Sequence, residues 1–168
     1  GEAAPEARAS ALLRLGNLAV DLAAYDDANT RYEASLAIRR QLNDELGMAG
    51  ALSGLGLVAW NQGRYADARE ALEQALELWR SHNHQRGIAL TLMNLGNIAI
   101  AGGAYETAET AHRESLRLRE LAGDLAGAGY SLFWLGQLMR LNGRSTEARA
   151  YFCRSLRTFY ETSDRLGF

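Results

Sequence analysis

His82 and His84, one residue apart, form the spacing in this chain that most invites a metal ion. Zinc takes four ligands, at least three of them from protein, and the stretch around the pair holds neither a third histidine nor a cysteine. The two histidines therefore read as part of a solvated connector. No metal and no cofactor is expected anywhere in the chain. His112 stands where a helix needs a large packing residue, which makes it a half-buried histidine with its hydrogen bonds satisfied and not a base. Cys153 is the only cysteine. It has no histidine in its register and follows Phe152 on a face expected to pack, so it reads as an inert thiol. It cannot form an internal disulfide, which fits a reducing compartment. Gly102-Gly103 follows a helix instead of a strand and no lysine comes after it, so it is a helix end and not a phosphate loop. Arg113, Arg117, Arg119, Arg154 and Arg157 lie with Glu114 and Glu120 interleaved, the pattern of a solvated back face with i,i+4 pairs. None of these groups makes a catalytic constellation, and no enzyme is expected.

Composition narrows the class further. At 168 residues the chain is long enough to bury a core, and 48% apolar and 23% charged residues with one proline exclude a disordered or fibrous chain. The formal net charge of -2 gives no pull toward nucleic acid or an anionic membrane surface. All 18 basic residues are arginine; lysine codons are A-rich, so this composition points to a GC-rich, bacterial genome. No apolar run approaches the roughly 20 residues that cross a bilayer, and no signal peptide is visible. A cytoplasmic protein is expected.

The elements that carry these residues recur. Leu92-Met93-Asn94-Leu95-Gly96-Asn97-Ile98-Ala99 is echoed by Leu55-Gly56-Leu57-Val58-Ala59, Leu15-Gly16-Asn17-Leu18-Ala19 and Leu135-Gly136-Gln137-Leu138-Met139, each 40 residues from the next. Self-similarity at one period marks a repeat protein. Within each unit the apolar residues fall at helical spacing, which predicts pairs of helices over about 8–22 and 27–42, 48–62 and 66–81, 87–101 and 106–121, and 125–141 and 146–161. Residues 1–7 read as a connector, as do the stretches around Gly47, Gly87, Gly127 and Gly167. Gly63, Gly103 and Gly143 suit helix C-termini, where a positive φ is cheap only for glycine; Ala23 stands there in the first unit. Gly16, Gly56, Gly96 and Gly136 sit mid-helix at a cost of about 1 kcal/mol each relative to alanine. The close approach of a partner helix, with small Ala28, Ala68, Ala108 and Ala148 opposite, is the reason expected for them. Tyr32, Leu72, His112 and Phe152 share one site on the second helices, and Trp79, Phe159 and Tyr160 are expected to pack toward a following unit.

These strings resemble tetratricopeptide (TPR) repeats: Leu-x-x-Leu-Gly, a Gly-x-Tyr turn, a small alanine, then a large residue four later. The usual family unit is about 34 residues and closes with a proline; here the unit is 40 and Arg40, Arg80, Glu120 and Tyr160 stand at that place. The longer unit is similar to the TPR arms of bacterial signal-transduction ATPases and transcriptional regulators, and to spindle-orientation adaptors. The resemblance implies an all-α chain, a right-handed α-solenoid of four helix-turn-helix repeats that stops at the start of a fifth. It would be one domain over 1–168, with repeats at about 8–47, 48–87, 88–127 and 128–167, and part of a larger protein. It also implies a concave groove lined by the first helices, holding a protein or peptide segment. Carried over, the lining would be Asn17, Leu57, Trp60, Asn61, Met93, Asn94, Asn97, Tyr130, Phe133, Trp134, Gln137 and Arg140. Amides suit a peptide backbone because each offers both a donor and an acceptor; exposed aromatics mark interfaces. The alternative is a structural array that stacks on itself or on sister domains, as a homo-oligomer or spacer.

Overall fold

The computed structural model describes residues 3–166; of 163–168, read as the opening of a fifth unit, 163–166 continue the last helix and Gly167 and Phe168 lie outside the described residues. The helices are α1 (Ala3–Asp21), α2 (Tyr25–Gln41), α3 (Glu45–Asn61), α4 (Tyr65–Ser81), α5 (Gln85–Ala101), α6 (Tyr105–Leu121), α7 (Leu125–Leu141) and α8 (Ser145–Leu166). Among the described residues there is no strand, and the array is all-α helix-turn-helix.

The turn inside each repeat is built the same way. Ala23, Gly63, Gly103 and Gly143 have φ of 55°, 75°, 74° and 72°. In each, the next residue's N–H reaches back to the carbonyl five residues earlier at 2.8 Å (Ala24 to Ala19, Arg64 to Ala59, Ala104 to Ala99, Arg144 to Met139). This is the left-handed helix stop that satisfies the last carbonyls. Asn43, Asn83 and Gly123 serve the turns between repeats in the same conformation.

The chain divides into two compact units, Gly1–Gly87 and Ile88–Phe168. In the first, Leu36 of α2 packs with Ala51 and Leu52 of α3 and Ala75 of α4. Ala19, Ala28 and Tyr32 of the first repeat close over Val58 of α3. In the second, Leu116 of α6 packs with Ala128, Leu132 and Leu135 of α7; Ala99 and Ala108 meet Leu138, Met139 and Ala148. Buried serine hydroxyls tie each second helix to its first. Ser35 donates to the Ala9 carbonyl at 2.8 Å, Ser115 to Ala89 at 2.7 Å and Ser155 to Gly129 at 2.8 Å. Repeat 2 has Ala75 at that place, and there Trp79 Nε1 donates to Ser53 Oγ at 3.2 Å instead.

Several expectations are corrected. The stretch read as an N-terminal connector is helix from Ala3 onward. Gly47, Gly87 and Gly127 are not in connectors but in the first turns of α3, α5 and α7. Asp44 Oδ1 accepts the Gly47 N–H and Asp124 Oδ1 the Gly127 N–H, both at 2.9 Å, as N-caps do. A Cβ on Gly47 or Gly127 would run into the guanidinium of Arg39 or Arg119. Those two arginines pair with the same aspartates. Arg119 is therefore buried, 7% exposed, and not on a solvated back face. In repeat 2 the trio is Trp79, His84 and Gly87: the His84 ring stacks on Trp79 with centroids 4.6 Å apart, and its Nδ1 accepts the Gly87 N–H at 3.0 Å. His82, for its part, bonds Glu45 at 2.8 Å. Cys153, expected on a packed face, is exposed. Among the described residues no cluster of His, Cys, Asp or Glu could hold a metal ion, and no helix is long and apolar enough to cross a membrane.

Candidate functional site

The mid-helix glycines make room for side chains more than for a neighbouring backbone. A Cβ on Gly16 would stand 2.6 Å from the Tyr32 ring, and one on Gly56, Gly96 or Gly136 would stand 2.6–2.7 Å from Leu72, His112 or Phe152. At Gly56 a backbone atom of the partner helix is also close, the Ala68 carbonyl oxygen at 3.2 Å. Tyr32 is held from both sides, since a Cβ on Gly54 of α3 would also come within 2.6 Å of its ring. Forty-residue register carries Gly54 to Trp134. Accordingly His112 lies between Gly96 on one side and the Trp134 ring on the other, centroids 6.2 Å apart and nearly parallel at 10°. A large ring at the second-helix site goes with glycine on the next first helix, and a smaller ring with tryptophan.

That exchange shapes the first-helix faces of both units. In the first unit Asn17 is exposed and accepts the Tyr32 hydroxyl on Oδ1 at 2.7 Å. Burial, then the Asp21 carboxylate, pushes the Tyr32 phenol above its ordinary pKa, which keeps it a donor. Leu57 and Trp60 are half-buried, and Trp60 lies against Tyr65 with ring centroids 5.0 Å apart. Asn61 is exposed and donates to the Leu57 carbonyl at 2.9 Å.

In the second unit Met93, Asn94 and Asn97 of α5 are half-buried. Met93 Sδ lies 3.7 Å from an Arg119 guanidinium nitrogen. Asn97 Oδ1 is buried and has no hydrogen-bond partner. His112, expected to be half-buried and satisfied, is instead fully buried with no partner for either ring nitrogen, because the imidazole is enclosed between Gly96 and Trp134. Burial, aided by Arg119, lowers the His112 pKa to about 4. On α7, Tyr130 and Phe133 are exposed, Tyr130 edge-on to Phe159 at 5.1 Å. Phe133 touches Trp134 and Phe152, at 5.7 and 5.8 Å. Gln137 is half-buried and accepts from exposed Arg140 at 3.0 Å. The amides are thus not equivalent. Asn17 and Gln137 use their carbonyls in local bonds, whereas Asn61 uses its NH2 group. Trp79, expected to pack toward a following unit, lays its ring against His84 and Gly87 at the start of α5 while its Nε1 bonds back to Ser53. Phe159 fills the space over Gly129, and Tyr160 is 75% exposed. Sequence reading missed the paired roles of Arg39–Asp44 and Arg119–Asp124; the recurrence of Arg and Asp five residues apart, 80 residues on, was the signal available.

The tetratricopeptide repeat profile matches residues 7–81, 47–121 and 87–161, overlapping stretches that span nearly the whole chain. This chain belongs to the tetratricopeptide repeat family. No curated protein matches it. Among solved structures it is similar to BtubC from P. vanneervenii, at 20% identity and a TM-score of 0.82, covering 98% of this chain and 66% of that one. It is similar to aspartyl phosphate phosphatase F from Bacillus subtilis, at 14% identity and a TM-score of 0.87, covering 95% and 42%. MamA matches at 20% identity with a TM-score of 0.70, covering 94% and 81%. At these identities the likeness is one of fold. The TPR chain spans less than two thirds of the length of the first two.

Proposed function

We propose that this TPR chain is a non-catalytic module that binds a protein or peptide segment on its first-helix faces, as the sensor or scaffold arm of a bacterial cytoplasmic regulatory protein. The observation that carries the reading is the separation of charge in the second unit. Helices α5 and α7 contain no carboxylate, and they present Asn94, Tyr130, Phe133, Trp134 and Gln137. The acidic residues of α6, Glu106, Glu109, Glu114 and Glu120, lie on the second helix of the pair. An uncharged face of amides and aromatic rings fits a backbone held by hydrogen bonds and flanked by apolar side chains. Arg140 is the one charge on α7 and gives the end of that face a mild preference for an acidic or C-terminal group.

The test is capture from lysate of the source organism with the chain as bait, beside an Asn94→Ala/Tyr130→Ala variant of unchanged helicity. Proteins held by the parent chain and lost by the variant support the reading. Identical sets from both would remove this face from consideration.

A further inference from the structure

Two positions recur together in every repeat: the large residue of the second helix, and the residue just after the mid-helix glycine of the first. In repeat 1 they are Tyr32 and Asn17, joined by a 2.7 Å bond. In repeat 2 they are Leu72 and Leu57, both apolar. In repeat 4 Phe152 stands with Gln137, whose Oε1 takes the Arg140 Nε–H. Repeat 3 has His112 and Asn97. Here both residues are polar, His112 is fully buried, and its Nδ1 and Nε2 and the Asn97 Oδ1 are all buried without a partner. A buried polar group left unbonded carries its full desolvation cost, and packing alone does not account for three of them in one place.

Nε2 is the ring atom nearest Gly96, 2.6 Å from where a Cβ would stand, so the tip of the imidazole ends beside the residue that precedes Asn97. In repeat 1 the phenol carries this line further: its ring lies over Gly16 and its oxygen reaches Asn17. A group at the place of that oxygen would bond both Nε2 and Oδ1. Its chemistry is narrow. The ring is neutral near pH 7, because burial and then Arg119 lower its pKa to about 4, so one nitrogen donates and the other accepts. A carboxylate cannot donate to Oδ1. An ammonium would meet the field of Arg119 with no carboxylate on α5 or α7 to offset it. A hydroxyl is compact and neutral, and it both donates and accepts.

We propose that Asn97 and His112 form a subsite for the hydroxyl of a threonine or serine side chain in the segment held on the α5–α7 face. This rests on the reading that the face binds such a segment. Asn97 and Trp134 are half-buried and border the face, while His112 lies fully buried between Gly96 and Trp134. That depth suits a short side chain and not a main chain. The hydroxyl enters between Asn97 and Trp134, donates to Oδ1 and accepts from the ring N–H.

Immobilised hexapeptide pools test this, with threonine, serine, valine or alanine fixed at one position and the others drawn from uncharged residues that lack a hydroxyl. Threonine and valine have nearly the same shape and differ in the hydroxyl. The parent chain is expected to prefer threonine or serine over valine by about tenfold. In His112→Leu, which takes the residue of repeat 2, and in Asn97→Ala, the preference is expected to vanish while helicity by circular dichroism matches the parent. The His112 Nε2 resonance, assigned by its loss in His112→Leu, is expected to move with the retained hydroxyl peptides and not with their valine counterparts. No retention by the parent removes the binding reading and this proposal together. Retention without a hydroxyl preference, or a preference that survives in either variant, leaves the binding reading standing and overturns the subsite. Loss of all retention in a folded variant makes the two residues a structural support and overturns it likewise.

Discussion

The Tyr32 hydroxyl donates to Oδ1 of Asn17 at 2.7 Å, and forty-residue register puts no such bond eighty residues on. There the pair is His112 and Asn97, and neither the imidazole nitrogens nor the amide oxygen has a partner. Imidazole is shorter than phenol, so the donor does not reach. Trp134 takes up on the far side the space that the phenol ring fills in the first repeat.

Acid sensitivity follows from the buried imidazole. The folded pKa of His112 is about 4, below its ordinary 6.5, because burial and then Arg119 oppose the charged form. The folded state therefore binds the proton more weakly than the unfolded chain. Its full contribution is present above pH 6.5 and is lost as pH falls from 6.5 toward 4. Linkage gives a loss of about 2 kcal/mol between neutral pH and roughly pH 5. Urea unfolding of the parent and of His112→Leu (Leu72 fills the same site in repeat 2) at both pH values checks this. The variant should lose about 2 kcal/mol less than the parent over that interval.

Alanine at Gly16 or Gly54 should destabilise the first unit although alanine is the better helix former. Helix propensity favours the change by about 1 kcal/mol, but the Cβ stands 2.6 Å from the Tyr32 ring in either case. Overpacking of this kind costs about 1–3 kcal/mol, and the ring cannot retreat with glycine-sized gaps on both faces. Thermal unfolding should show both variants below the parent, with Tyr32→Leu/Gly54→Ala recovering part of the loss.

Asp44→Ala removes the cap on the Gly47 N–H and the carboxylate that pairs with Arg39, whose side chain is 10% exposed. The cap alone is worth about 1 kcal/mol. Leaving a nearly buried guanidinium without its carboxylate adds to that, so a loss of about 2–3 kcal/mol is expected in denaturant unfolding. In Arg39→Leu/Asp44→Ala the total should fall short of the sum of the single losses, the mark of a coupled pair.

At Ala23 a non-glycine residue holds φ of 55°, where the other repeats use glycine. Ala23→Gly should raise stability by about 0.5–1 kcal/mol, and Gly63→Ala should lower it by a similar amount. Opposite shifts in melting temperature would be the readout.

The fold was legible because four units repeat every constraint. One leucine at helical spacing means little, whereas Leu12, Leu52, Leu92 and Leu132 in one register fix a face. The glycine stops were legible for the same reason, and so was the departure at Ala23. The starts of α4, α6, α7 and α8 fall within one residue of those expected, whereas α1 and α3 begin earlier. Gly47 and Gly127 look like loop residues until the arginine that fills the missing Cβ volume is seen, and a contact between residues on different helices leaves little local trace. Cys153 followed Phe152 in sequence but faces another way, since adjacent helix residues are turned about 100° apart. Arg119 read as one of a solvated series although its neighbour in space is Asp124, an ion pair that spacing alone did not single out. On the first helices the residue types were readable but not their bonding: nothing in the sequence says that Gln137 spends its carbonyl on Arg140 while Asn61 spends its NH2 on Leu57.

The central claim, that partners meet the first-helix face, is tested most directly by photo-crosslinking from single positions. A benzophenone amino acid at Tyr130 on α7, and another at Arg117 on the second helix α6, would be irradiated in lysate of the source organism. Discrete adducts from position 130, absent from position 117 and displaced by excess unlabelled chain, are the expected result. Equal adducts from both positions, or adducts from 117 alone, would contradict it.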